Sequence, residues 1–325
     1  PDSKPSSTNC SVIPLAALSP ALPPPNCFSP ICIIPFRKVP LVVWVQDLWP
    51  ESLAATGFVR NGTVLRWVAG VVRFLYRHTD LILVPSAAFI EPIAALGASR
   101  DRIVYFPNAY IPEPFLAEES ACDAPVLAER IAAGFSIVFA GNLGVAQSLE
   151  TVLDAAERLQ AAGMPVRFFL VGSGSRSDWL QDQLRQRKLS NVEVPGRFPP
   201  ESMGLIYAAA SALLVSLRDE PIFAMTIPSK VQGYLAAGRP VIASLNGEGA
   251  RVIREANAGF ACPAGDSDAL AAAITKLFHL DKDARRELGE NGRLYAEQHF
   301  SLDRLALELI RRLESVQADC RRNSR

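Results

Sequence analysis

The chain has 325 residues, 49% hydrophobic and 20% charged, enough to bury the cores of two domains of ordinary size. Its formal net charge is zero, which excludes a bulk field for nucleic acid, so any anion site must be local. Six cysteines with no CxxC pair and no metal spacing suit a reduced, cytosolic chain, and no uninterrupted apolar stretch is long enough to span a bilayer.

Residues 1–40 hold ten of the 25 prolines. That density forbids continuous helix and disfavours sheet, so the segment 1–35 is expected to be irregular or extended, either a disrupted start or a functional tail. From Leu41 an alternation begins. LVVWV (41–45) is a continuous apolar run, as in a strand buried on both faces of a parallel sheet. Helical pattern follows over 64–78, then strand LILV (81–84), helix 87–96 and strand IVYF (103–106). The proline-rich stretch from Phe106 to Pro125 reads as an interdomain linker. Strands are then expected at 136–140, 166–171, 192–194, 213–217, 240–243 and 260–262. Helices are expected at 149–161, 178–188, 201–209, 230–237, 250–256 and 268–278. This alternation predicts a parallel, doubly wound α/β sheet with ligands beyond the carboxyl ends of its strands. The last pattern, SLDRLALELIRRLESV (301–316), predicts a capped helix with an apolar stripe of Leu302, Leu305, Leu309 and Leu313.

One stretch poses an electrostatic question. TIPSKVQGYLAAGRPVIAS (226–244) reads as a short helix running into a strand, with Pro228 and Ser229 suited to the helix start. Lys230 then sets a cation at the positive end of the helix dipole, which is unfavourable unless an anion sits beside it. Other strand-end loops point to the same edge. FAGNLGVAQSLETVL (139–153) sets Gly141 and Gly144 about a turn whose N–H groups can face an anion. LVGSGSRSDWL (170–180) carries Gly172-x-Gly174, a degraded dinucleotide fingerprint with Glu193 about twenty residues on. NVEVPGRFPPESM (191–203) places Gly196, Arg197 and Phe198 where a turn could read a base edge. Together these loops predict a nucleotide diphosphate site in which Ser229, Lys230 and the helix start hold the anion. A solvated surface lysine is the plainer alternative.

These stretches resemble retaining glycosyltransferases of family 4, and within them the branch adding deoxy or amino-deoxy sugars in bacterial O-antigen, capsule and colanic-acid synthesis, including L-fucosamine transfer. The resemblance runs from Val42 to about Ser315. It is carried by QDLWPES (46–52), PSAAFIEPIAALGASRDRIVYFPNAY (85–110), the glycine loop at 139–159, GRFPPESMGLIYAAASALLVSL (196–217) and IPSKVQGYLAAGRPVIASLNGEGARVI (227–253). It implies a GT-B fold: two Rossmann-like domains facing a cleft, the N-terminal one incomplete because the family's opening βα units are missing. The implied segments are a partial acceptor-side domain at 36–124, a nucleotide-sugar domain at 125–298 and a helix at 299–325 packing back toward the first domain. The implied donor is a nucleotide-sugar, most often UDP-linked, and the acceptor a saccharide or a lipid-linked one. The implied location is cytoplasmic, peripheral at the inner face of the membrane, and neither a metal nor another cofactor is implied. Asp266-Ser267-Asp268 precedes a helix and reads as a cap.

The departures matter as much. Where relatives place an arginine and a lysine in the first glycine loop, this chain has Asn142 and Gln147, so Lys230 reads as the relocated charge. The family's Glu–seven–Glu pair falls on Met225 and Gly233, leaving Met225, Thr226 and Ile227 beside the donor sugar. Glu248, in a glycine turn, is a substitute acceptor for the ribose hydroxyls. Gln46 matches the family's donor-facing histidine, and Asp47 either orients the acceptor or is a turn carboxylate before a helix start at Trp49-Pro50. Arg66, Arg73 and Arg77 share one helix face, while Trp67, Val71, Phe74 and Leu75 supply apolar surface. That stripe suits an anionic membrane or a lipid-diphosphate acceptor, or is an ordinary amphipathic helix with a solvated edge. A non-catalytic relative that binds donor only, and an NAD-dependent oxidoreductase resting on Gly172 and Gly174, are the competing readings.

Overall fold

The computed structural model describes residues 11–14, 39–49, 61–110 and 123–323. Most of the proline-rich start, the helix start expected at Trp49-Pro50 from Pro50 onward and the core of the 106–125 linker lie outside these residues. The chain divides into two compact units, Pro1–Asn108 with Asp303–Arg325, and Ala109–Leu302.

The first unit holds a four-stranded sheet in the order β1 (Ser11–Pro14), β2 (Leu41–Trp44), β3 (Leu81–Val84), β4 (Ile103–Tyr105). β2, β3 and β4 are parallel, and Val43, Ile82 and Val84 are wholly buried, as their unbroken apolar runs predict. β1 corrects the expectation that the first 35 residues avoid sheet, because Ser11–Pro14 pairs antiparallel with β2. A four-residue edge strand with two β-branched residues, ending at its proline, tolerates the missing donor that would break a central strand. The closing helix Leu302–Asn323 belongs to this unit from Asp303 onward. Leu305 is its buried anchor, while Leu302 is exposed, so the expected leucine stripe is narrower than its spacing suggests.

The second unit is a six-stranded, wholly parallel sheet of β5 (Phe135–Ala140), β6 (Val166–Val171), β7 (Val192–Gly196), β8 (Ala212–Ser216), β9 (Val241–Ser244) and β10 (Gly259–Cys262). Their order across the sheet is β7-β6-β5-β8-β9-β10. The chain winds outward from β5 to β7, returns to β8 on the other side of β5, and winds outward again. That is the doubly wound nucleotide-binding order, and it opens a crevice beyond the carboxyl ends of β5 and β8. One hydrophobic cluster covers each sheet face, with Val138, Phe169 and Val215 on one and Phe139, Phe168 and Leu214 on the other. The expected helix at 201–209 is a 3-10 turn, Pro200–Ser202, leading into Met203–Ala209. A 19-residue helix, Lys282–Phe300, is absent from the sequence reading. It buries Gly289, Gly292, Ala296 and Phe300, and such small residues leave no periodic apolar signal. Among the described residues no helix is long and apolar enough to cross a membrane.

Candidate functional site

The carboxyl edge of the second sheet is built by backbone contact between strand-end turns. Gly141 N–H donates to the Val171 carbonyl at 2.9 Å, Leu143 N–H to Ser173 at 3.0 Å, and Gly172 N–H to Gly196 at 2.7 Å. Gly141 and Gly172 have φ of 131° and 141°, a region that disfavours side chains. A Cβ on Gly172 would sit 1.9 Å from the Gly141 carbonyl oxygen, so the two turns close only because residue 172 is glycine. Asn142 folds its amide against Gly144 and Gly174. Tyr234 closes the edge from below: its buried hydroxyl accepts from Ala140 N–H at 2.8 Å and lies 3.2 Å from the Ala140 carbonyl. Burial holds its phenol well above the ordinary range, so it stays neutral. Tyr234→Phe strands the Ala140 N–H and is expected to lower unfolding free energy by about 1–3 kcal/mol, read from urea denaturation.

Lys230 enters this edge from the helix Ser229–Ala236. The cap residue is Pro228, with no side-chain cap bond, and Ser229 is the exposed first helical residue, which corrects its expected capping role. The lysine stem packs on Gly141, where a Cβ would lie 2.7 Å from Cε, and Nζ sits 3.8 Å from the Phe139 ring centroid. Nζ donates to Gln147 Oε1 at 3.0 Å. Gln147 lies in the 3-10 turn Val145–Gln147, directly before the helix Leu149–Ala161. The opening question thus has a geometric answer: the ammonium lies over the glycine turn, on an amide and an aromatic face. Burial without a carboxylate partner draws its pKa down to about 7. A cation so held is under-neutralised, and an arriving anion would restore its proton.

The remaining candidates divide. Thr226 donates to the Phe223 carbonyl at 3.1 Å, Ile227 packs on the core, and Met225 closes the short helix Pro221–Ala224. Gly196 offers its carbonyl to Gly172, Phe198 packs partly buried against the core, and Arg197 is exposed. Glu248 stands in the first turn of Gly247–Glu255, but both its oxygens face Arg251, at 3.1 Å from Nε and 3.0 Å from Nη2. Its expected role as a ribose acceptor is therefore in competition with an intrahelical pair. Glu193 pairs with Arg130 and, at 3.7 Å, with Arg167, which removes the acid the dinucleotide reading needs. Asp266 caps Ser267–His279 by accepting from Ala269 N–H at 2.8 Å, and Asp268 pairs with Arg158 at 2.9 Å.

In the first unit, Gln46 follows β2 and accepts from Asn108 Nδ2 at 3.1 Å, while Asp47 is exposed. Asn108 was not read from the sequence, since a pair 62 positions apart leaves no local pattern. Arg66, Arg73 and Arg77 lie on the helix Gly62–Arg77, which buries Val72 and Tyr76. All three arginines are exposed, beside Trp67, which is 71% exposed. Arg77 folds its stem over Gly97, so it is turned toward its own domain.

The fold and this edge define the class. Residues 134–279 match the family model described as Glycosyl transferases group 1, and residues 29–109 match the Glycosyl transferase 4-like domain. The chain is a two-domain α/β protein of the GT-B fold, and it is similar to glycosyltransferases over these two stretches. Among curated proteins it is 26% identical over 264 residues to probable glycosyltransferase WbjE of Pseudomonas aeruginosa, covering 80% of this chain and 64% of that one. It is also 26% identical over 211 residues to putative colanic acid biosynthesis glycosyl transferase WcaI of Escherichia coli (strain K12), covering 61% and 49%. The chain thus spans 64% and 49% of the length of these two relatives. Among solved structures, Anabaena Alr3699/HepE in complex with UDP-glucose superposes with a TM-score of 0.66 at 19% identity, over 86% of this chain and 73% of that one. WaaG, a glycosyltransferase involved in lipopolysaccharide biosynthesis, gives 0.63 at 18% identity, over 85% and 76%.

Proposed function

We propose that the protein transfers a sugar from a UDP-linked donor to a lipid-linked or saccharide acceptor in bacterial surface polysaccharide synthesis, with retention of configuration and without a metal. The observation that carries this reading is the Lys230 ammonium seated on Gly141 at the crossover of a doubly wound sheet. In that seat it would neutralise the donor diphosphate and, as the glycosidic bond breaks, the charge growing on the leaving group. HepE, of the same fold, has been solved with UDP and with UDP-glucose, which supports a uridine donor. The likeness to a putative colanic acid biosynthesis glycosyl transferase supports the surface-polysaccharide setting, and the sugar proposed is a deoxy or amino-deoxy one such as L-fucosamine. Gln46, held by Asn108, is the proposed sugar-hydroxyl partner, and Asp47 the acceptor-orienting carboxylate. Arg66, Arg73 and the exposed Trp67 support peripheral contact with an anionic membrane.

A second reading, donor binding without transfer, is favoured by Met225 and Gly233, which leave the sugar and ribose without a carboxylate pair, and by Glu248, which Arg251 occupies. One assay separates the two. The protein is incubated with UDP-sugars and a short-chain polyprenyl-diphosphate sugar in anionic or neutral vesicles. The transfer reading expects UDP release and an extended lipid, with more product on anionic vesicles. UDP binding with no product supports the second reading, and absence of UDP binding contradicts both.

A further inference from the structure

We propose that Arg218 is a second cation of the donor site, closing on the distal phosphate of the nucleoside diphosphate. This rests on the donor-site reading given above, and it addresses a shortfall in it: a diphosphate ester carries two negative charges, whereas Lys230 supplies one positive charge.

Arg218 lies two residues beyond the last residue of β8, the strand beside β5 at the crossover. Its N–H donates to the Ala146 carbonyl at 2.9 Å, in the same 3-10 turn whose next residue, Gln147, holds the Lys230 ammonium. Arg218 through its backbone and Lys230 through its ammonium therefore both bond to one three-residue turn.

The charges around Arg218 leave it in surplus. Glu150 Oε1 is its ion-pair partner at 3.9 Å, the long limit of such a contact, and the Arg218 side chain is 43% exposed. The same oxygen is already gripped by Arg176, whose guanidinium stacks 3.7 Å from the Trp179 ring centroid and whose N–H is tied to the Leu143 carbonyl. Arg176 thus neutralises Glu150 from a fixed position. The neighbouring Asp219 is occupied by the Asn246 amide at 2.8 Å. A long, exposed pair of this kind contributes little, so Arg218 can exchange it for phosphate oxygens, which its planar fork suits better than an ammonium does.

The test is titration of the full chain with UDP, UMP and uridine, comparing the unaltered protein with Arg218→Gln, Arg218→Lys, Glu150→Gln and Lys230→Met. Arg218→Gln is expected to weaken UDP binding by about tenfold or more while changing UMP binding less than about twofold. Arg218→Lys recovers part of the loss, and Glu150→Gln leaves UDP binding unchanged or tighter. Equal losses for UDP and UMP, or a Glu150→Gln loss matching that of Arg218→Gln, would mark Arg218 as a structural staple of the turn and overturn the proposal. So would an unchanged UDP affinity in Arg218→Gln alongside a loss in Lys230→Met, an outcome that leaves the donor-site reading standing. No UDP binding by the unaltered protein overturns the reading and the proposal together.

Discussion

Lys230→Met is expected to weaken UDP binding by roughly 10- to 100-fold, the range for losing a hydrogen bond to a charged group in a partly dry site. Methionine keeps the stem that packs on Gly141 and Phe139, so the loss isolates the charge. The pH dependence gives the account its sign. In the free site the ammonium titrates near 7, and a bound diphosphate raises that value. Above pH 7, where UDP is fully ionised, affinity should fall as pH rises, by up to about tenfold per unit, because binding then takes up a proton. The variant should show no such slope.

Stability without ligand should move the other way. The lysine pKa is depressed in the folded protein, from 10.5 to about 7, so between these values the unfolded chain binds more protons and stability rises with pH. Below about pH 7 the desolvated ammonium is a full penalty, of about 1–2 kcal/mol after screening by solvent. Lys230→Met should therefore melt higher than the unaltered protein at pH 6, with the difference fading toward pH 10.5. Calorimetry at three pH values checks it, and a variant melting lower at pH 6 would contradict the burial argument.

Gly172→Ala is expected to be among the most damaging single-methyl changes in the second unit. The new Cβ meets the Gly141 carbonyl oxygen at 1.9 Å, and φ of 141° is strained for alanine in any surroundings. Neither atom is a flexible side-chain end, so relief requires the two strand-end turns to part. The expected loss is about 3 kcal/mol or more, which in a domain of this size lowers the melting temperature by roughly 6–12 °C. Gly134→Ala is the matched control, since nothing lies within 4 Å of its added carbon. A Gly172→Ala protein melting within about 2 °C of the control would show that the turns are not in register as described.

How much of this was legible in the sequence follows from the range of each interaction. FSIVFA and VRFFLV are readable as central strands because burial on both faces leaves no polar alternation to interpret. Lys230 stood out because its position is locally unfavourable, and an unfavourable local choice in a folded chain signals a reason elsewhere. What satisfies it was not legible: Gln147 lies 83 positions away and Phe139 on another strand. Nothing local marks Tyr234 either, whose hydroxyl bonds the end of β5 across 94 positions. The helix Lys282–Phe300 escaped notice because its buried face is mostly glycine and alanine, and β1 was hidden by the prolines around it.

The most direct test is a structure of the full chain with UDP bound. The account requires a phosphate oxygen within hydrogen-bonding distance of Lys230 Nζ, over Gly141, with the Gln147 contact exchanged or shared. UDP found elsewhere, with Nζ still on Gln147 Oε1 and no phosphate beside it, would contradict it.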